Sequence, residues 1–93
     1  MSSSVKEKSK VVKLNFTKWA DDMKQLASYS DRTPEAEIKD KAASWAAAHA
    51  GDANVVQIIV PNGHPYWTDK VRDLIERRLK GNNRGVTLEV VPA

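Results

Sequence analysis

The chain contains no cysteine. This absence excludes disulfide bonds, thiolate metal sites and cysteine nucleophiles, and it is typical of proteins in a reducing compartment. No apolar run approaches the roughly 20 residues that span a bilayer. The N-terminus also lacks the apolar segment of a secretory signal. We therefore expect a cytoplasmic protein with no membrane segment.

Histidine and catalytic motifs are scarce as well. His49 and His64 are the only histidines, and they match no metal-binding spacing, so a site built from His49, Asp52 and His64 is a weak alternative. No phosphate loop, nucleophile elbow or His-Glu-x-x-His motif is present. No carboxylate lies in an apolar stretch that would raise its pKa. We predict no metal, no cofactor and no catalysis; a small enzyme with a cleft joining His64 to Asp69 or Asp73 is a remote alternative.

The residues that are present are sufficient for one domain. The chain has 93 residues, of which 41% are hydrophobic and 29% charged. These values are ordinary for a globular protein with one modest core. The formal net charge is +3, and N-terminal lysines supply much of the excess. We predict a disordered basic arm over residues 1–9 and a single α/β domain over residues 10–93.

Helix signals are clear in the first half of the chain. Asn15 is a natural N-cap for a helix over residues 16–29. Thr33 followed by Pro34 is a strong helix start, because proline is favoured at the first helical position. Gly51 is a natural stop for this second helix. Its apolar stripe includes His49, which we interpret as stabilising the helix carboxyl end.

Strand signals flank these helices and follow them. Residues 10–14 form a weak strand, and their lysines are typical of a guarded sheet edge. Residues 55–60 are apolar nearly throughout, as in a central strand covered on both faces. After a third helix over residues 68–80, ended by Gly81, residues 86–91 alternate as a half-buried strand. We predict an α/β (or α+β) fold of order β-α-α-β-α-β, with a small sheet of two or three strands, three helices and a C-terminal βαβ unit.

The most informative segment is the loop of residues 61–67, Pro-Asn-Gly-His-Pro-Tyr-Trp, which follows the central strand. Its prolines and its Asn-Gly pair favour a stiff, pre-organised conformation. If the sheet is parallel, the loop lies at the carboxyl end of the central strand, where ligands of open α/β sheets bind. Two interpretations remain open, a cap over the end of the core and a contact surface. Trp67 fits the apolar arc of the third helix, whereas Tyr66 and His64 are freer.

The third helix is rich in basic residues. Asp73–Arg77 and Glu76–Lys80 have the spacing of favourable ion pairs, which predicts a solvated, self-paired face. Arg78 is the exception, because it falls near the middle of the apolar arc. It either extends past the helix end to solvent, meets a buried carboxylate or helix carboxyl end, or faces a partner.

We predict a non-enzymatic protein-interaction module of the accessory, regulatory or inhibitor type. Its contact surface is the 61–67 loop with the adjoining helix. Tyr66 is the expected anchor, and arginines supply orientation and association rate. The predicted partner-binding residues are His64, Tyr66, Trp67, Arg72 and Arg78. The oligomeric state stays open.

The alternative function is nucleic-acid binding. In that hypothesis the lysine-rich arm contacts phosphates, the third helix supplies arginines and Tyr66 stacks on a base. The residues that carry it are Lys6, Lys8, Lys10, Lys13, Arg77 and Arg84.

Overall fold

The computed structural model describes residues 10–93. Its elements follow one another as β1 (Val11–Asn15), α1 (Phe16–Tyr29), α2 (Pro34–Ala50), β2 (Val55–Ile59), α3 (Asp69–Asn82) and β3 (Thr87–Val91). The predicted α/β class and the order of elements are confirmed. The predicted basic arm of residues 1–9, with Lys6 and Lys8, lies outside the described residues.

The three strands form one parallel sheet in the order β1-β2-β3. Val11 is aligned with Val55 and Thr87 at the amino end of the strands, and Asn15 with Ile59 and Val91 at the carboxyl end. Thus β1 exists and lies at an edge, as its lysines indicated. The parallel pairing places the loop after β2 at the carboxyl edge of the central strand.

Side-chain caps fix the start of each helix. The Asn15 side chain accepts a hydrogen bond from the Lys18 N–H at 3.1 Å. Thr33 and Thr68 do the same for the N–H groups three residues further on, each at 3.2 Å. Each cap satisfies a backbone donor that has no partner within its helix. The local sequence therefore specifies the first residue of α1 and of α2 correctly.

The end of α3 differs from the prediction. Gly81 does not end the helix but lies in its last turn, without a positive φ. Helical hydrogen bonding continues to Asn83, whose N–H donates to the Leu79 carbonyl at 2.9 Å. The Asn83 side chain also donates to the Ala53 carbonyl at 3.2 Å. This distant contact stabilises two further helical residues beyond the predicted end.

The helices cover one face of the sheet. Val56 and Ile58 of β2 are fully buried and share a core with residues of all three helices. Val55 and Ile59, which alternate with them, are only half-buried and lie outside that core. The β1–α1–α2–β2 and β2–α3–β3 connections both lead across the sheet in the direction from β1 to β3. Because such connections are right-handed, their helices pack on the same face of the sheet. Coverage of β2 on both faces, which its sequence predicted, is therefore wrong for residues 10–93.

A charged network holds the turn between α1 and α2. Glu37 is only 3% exposed and is the one buried charged residue among residues 10–93. Lys41 donates to one of its oxygens at 2.5 Å and Arg32 to the other at 2.7 Å. Arg32 also pairs with Asp40. Hydrogen bonding by Lys41, helped by Arg32, holds the pKa of Glu37 below its ordinary value although burial opposes this, and Arg32 lowers the pKa of Asp40.

Candidate functional site

The 61–67 loop consists of two successive tight turns. The His64 N–H donates to the Pro61 carbonyl at 3.2 Å, and the Trp67 N–H donates to the His64 carbonyl at 3.1 Å. Gly63, with φ of 79°, takes the left-handed conformation that the third residue of a type II turn requires. Pro65 stands second in the following turn, where its fixed φ is favoured. The loop is therefore stiffened by its own backbone, as its sequence predicted.

His64 is held by the loop and by the core. Its Nδ1 accepts a hydrogen bond from the Tyr66 N–H at 3.1 Å. Its ring meets the Phe16 ring edge-on, with centroids 5.3 Å apart. This hydrogen bond and this ring contact fix the orientation of the half-buried His64 side chain, which fits a structural part in the loop.

Phe16 is the centre of an aromatic cluster beneath the loop. It is fully buried, and its ring lies 4.9 Å from Trp67, 5.8 Å from Trp19 and 6.1 Å from Trp45. Trp19 and Trp45 stack on each other at 4.6 Å. Trp19 is partly buried and packs against the core. Trp67 also packs inward, although it precedes α3 and does so against Phe16 rather than as part of a helical arc.

Tyr66 is half-buried against the core, with its ring 5.9 Å from that of His64, and it also lines a groove. The groove has a volume of about 500 Å³ and lies between the start of α2 and the start of α3. We call it the Tyr66 groove; its lining residues are Glu35, Lys39, Pro65, Tyr66, Thr68, Lys70 and Val71. Pro65, Tyr66 and Val71 supply an apolar wall. Within residues 10–93, neither Lys39 nor Lys70 has an ion-pair partner. The loop thus packs on the core through His64, Tyr66 and Trp67, and of these three rings Tyr66 is the one that lines the concave surface.

The two predicted arginines lie apart from each other on α3. Arg72 is half-buried and donates to Glu76 at 3.2 Å. Arg78 is exposed, about 15 Å along the helix from the Thr68 cap and about 120° around it from Arg72. The exposure of Arg78 favours the interpretation that its side chain extends to solvent. The structure therefore brings His64, Tyr66 and Trp67 together but does not join Arg78 to them.

Two expected ion pairs on α3 do not form among the described residues. Glu76 pairs with Arg72, one turn earlier, rather than with Lys80. Lys80 instead lies 3.4 Å from the Val86 carbonyl, to which its amine donates. No ion pair joins Asp73 to Arg77. Contacts with the chain beyond the helix decide between pairings that the i,i+4 spacing alone leaves equivalent.

The described residues of the nucleic-acid alternative are distributed over the molecule. Lys10 pairs with Asp52 at 2.5 Å, near the end of α2, and lowers the pKa of Asp52. Lys13 alternates with the buried Leu14, so it lies on the sheet face that carries no helix. Arg77 is exposed on α3, across the sheet from Lys13, and Arg84 is exposed in the following loop. They do not form one continuous basic surface within residues 10–93.

The histidines do not assemble a metal site. His49 is exposed in the last turn of α2 rather than part of a buried stripe. Within the part of the chain that the structure describes, no three potential His, Asp or Glu ligands lie close enough to hold a metal ion. The alternative set of His49, Asp52 and His64 therefore does not form.

No helix within residues 10–93 has the length and apolar character needed to cross a bilayer.

Sequence reasoning missed half of the Tyr66 groove. Glu35 and Lys39 belong to the first turns of α2, about 30 residues before Tyr66 in the chain. They are exposed and one helical turn apart, like many solvated pairs. Their importance depends on α2 starting beside the loop, and no local sequence signal carries that information.

Comparisons with models of protein families, with curated proteins and with solved structures found no match for this chain. Its function is therefore inferred from its own geometry.

Proposed function

We propose that this chain is a protein-interaction module that binds its partner through the Tyr66 groove. The observation that supports it is the placement of Tyr66, which lines the groove while its neighbours His64 and Trp67 hold the loop against Phe16. A fixed aromatic anchor at a concave surface is the arrangement that carries most binding energy at protein interfaces.

The stiffness of the loop adds to the proposal. Two turns, two prolines and the His64–Tyr66 hydrogen bond restrict the backbone on both sides of Tyr66 before any partner arrives. Binding therefore pays little conformational entropy to order the anchor. Lys39 and Lys70 flank the groove and provide charge for orientation and association rate.

Binding is proposed in preference to catalysis because of where the perturbed groups lie. Among residues 10–93, the side chains whose pKa is shifted from its ordinary value are Arg32, Glu37, Asp40 and Asp52. Each of them is held in an ion pair, and none lines the Tyr66 groove. Catalytic acids and bases are expected where a cleft and a perturbed pKa coincide.

The test uses two matched tyrosine variants. Peptides are selected from a random display library on the immobilised wild-type chain, and their affinities are then measured for wild type, Tyr66→Ala and Tyr29→Ala. Tyr29 is 87% exposed at the end of α1 and does not line the groove, so it controls for the loss of a tyrosine. We expect Tyr66→Ala to weaken the selected peptides roughly 30-fold, the effect of a hot-spot residue worth about 2 kcal/mol. Tyr29→Ala is expected to bind as wild type does.

Two results would contradict the proposal. One is a set of peptides that bind the folded Tyr66→Ala variant, checked by far-ultraviolet circular dichroism, as tightly as the wild type. The other is tight binding of labelled single-stranded DNA or RNA that depends on Tyr66 and collapses between about 50 and 200 mM salt. That salt dependence marks counterion release from phosphates and would assign the surface to nucleic acid.

A further inference from the structure

One face of the sheet has no cover within residues 10–93. Val11 is 44% exposed there, and Val55, Ile59 and Val91 are half-buried. We call this surface the open sheet face; its residues are Val11, Lys13, Asn15, Val55, Gln57, Ile59, Thr87, Glu89 and Val91. Parallel sheets are normally covered on both faces, which is why their strands are apolar throughout. The open sheet face is therefore a surface that is expected to have an occupant.

The charges on this face form one row across the strands. Lys13 of β1 is aligned with Gln57 of β2, and Gln57 is aligned with Glu89 of β3. Gln57 donates to one oxygen of Glu89 at 2.9 Å. Two strand spacings separate Lys13 from Glu89, a distance of about 10 Å. No ion pair joins these two charges within one chain, and Lys13 has no ion-pair partner among the described residues.

We propose that the open sheet face binds the same face of a second copy of this chain. A twofold axis parallel to the strands, passing over β2, places β1 of one copy over β3 of the other. Lys13 then lies opposite Glu89 of the second copy, and the symmetry repeats this pair. Val55 and Ile59 lie nearest the axis and bury apolar surface against their own counterparts. Facing sheets pack about 10 Å apart, a gap that a lysine and a glutamate side chain can bridge from opposite sides.

The positions of Lys13 and Glu89 favour an axis parallel to the strands over a twofold axis that runs across them. A twofold axis across the strands would place β1 over β1, with Lys13 opposite Lys13 and Glu89 opposite Glu89. Like charges in contact across an interface oppose association. Opposite charges therefore face each other only when the twofold axis is parallel to the strands. A twofold interface requires such a self-complementary surface.

The size of the face limits the strength of the dimer. Three strands of five residues cover an area of about 14 by 17 Å. This is smaller than the roughly 800 Å² per partner of a stable standard interface. The dimer is therefore weak and concentration-dependent. It uses the face opposite the helices and does not depend on the proposed function of the Tyr66 groove.

The test is a charge swap followed by analytical ultracentrifugation. Sedimentation of the full chain is measured from about 10 µM to about 1 mM, the range of weak complexes. We expect wild type to dimerise, and Lys13→Glu and Glu89→Lys each to weaken dimerisation at least fivefold. The double variant restores the opposite charges and is expected to recover the wild-type constant within about twofold. Lys24→Glu, on the exposed surface of α1, repeats the charge change of Lys13→Glu away from the face and should leave dimerisation unchanged.

A crosslinking experiment tests the axis without changing a charge. Because the chain has no cysteine, Gln57→Cys introduces one thiol, close to the proposed axis. A short bis-maleimide reagent is expected to convert this variant to a covalent dimer, and Tyr29→Cys to give none.

Three results would overturn the proposal. They are a wild-type chain that stays monomeric throughout the concentration range, a double variant that stays as weak as the single ones, and a Gln57→Cys variant that does not crosslink. A dimer that ignores every change on the open sheet face would show that another surface, such as a sheet edge, joins the two copies.

Discussion

Replacing Phe16 by leucine tests whether the aromatic cluster holds the 61–67 loop in place. Phe16 links the loop to α1 and α2, because its ring contacts those of Trp45, His64 and Trp67. Leucine keeps most of the apolar volume but removes the ring that these neighbours meet edge-on. The change therefore isolates the aromatic contacts from simple hydrophobic burial.

The magnitude follows from the contacts that are lost. A volume-conserving swap in a core usually costs less than about 1.5 kcal/mol. Each favourable aromatic pair adds about 0.5–1.5 kcal/mol beyond burial, and packing by leucine recovers part of this. We expect Phe16→Leu to lower the free energy of unfolding by about 2–3 kcal/mol. A domain of this size has roughly 5–10 kcal/mol in total, so the variant still folds.

The measurement is urea unfolding followed by tryptophan fluorescence. All three tryptophans belong to the cluster or stack on its members, so the signal reports this region directly. With a slope of roughly 1–1.5 kcal/mol per molar urea, the midpoint should fall by about 2 M. Leu26→Ala is the control, because Leu26 is 46% exposed on α1 and its loss should cost under about 1 kcal/mol. A midpoint for Phe16→Leu that falls no further than the control would refute the aromatic explanation.

Two further predictions concern the turn between α1 and α2. Asp31 has a φ of 60°, a backbone conformation that glycine adopts freely and a β-branched residue does not. Asp31→Val should therefore lower the free energy of unfolding by about 1–2 kcal/mol, whereas Asp31→Gly should not. Equal losses for the two variants in urea unfolding would disprove strain at this residue. The lowered pKa of Glu37 means that its ion pairs contribute stability above the pKa of the unfolded carboxyl, near 4.3, and lose it as pH falls through the folded pKa. Glu37→Gln should therefore destabilise the chain at pH 7 and progressively less below about pH 4; a constant difference in urea midpoint across that range would show that the charge of Glu37 is not responsible.

Local sequence was sufficient to predict the first residue of α1 and of α2, whereas the third helix, predicted from residue 68, begins at Asp69 with Thr68 as its cap. Asn15, Thr33 and Thr68 each cap the helix that follows by bonding a backbone N–H three residues on, so the signal and its effect lie within one turn. At Gly81, by contrast, local sequence predicted the end of the helix wrongly. Its usual part as a helix stop was overridden by Asn83, which bonds the Ala53 carbonyl some 30 residues away.

The candidate site likewise combines features that local sequence predicts with features that depend on distant packing. The stiffness of the loop was readable from its prolines and its Asn-Gly pair, because turn chemistry is local. The sequence indicated that Trp67 packs inward, but not that it does so against Phe16, because that contact depends on α1 reaching the loop. Lys39, on the far wall of the Tyr66 groove, gave no signal at all, because only the packing of α2 places it there.

The apolar sequence of β2 connects the open sheet face with the Tyr66 groove. Val55 and Ile59 are apolar although no helix of residues 10–93 covers them, so the sequence of β2 fits a sheet covered on both sides. In the proposed dimer the twofold axis runs along the strands, and the carboxyl ends of both sheets therefore point in the same direction. Each Tyr66 groove lies beside the loop at that end.

The dimer thus presents two grooves on one side. A partner with two suitable segments would bind both grooves at once. The overall affinity of such a partner can exceed that for a single groove by roughly 10²–10⁴ when its linker spans both sites. A weak dimer with a small interface is sufficient for this, because a bivalent partner that holds both copies also stabilises their contact.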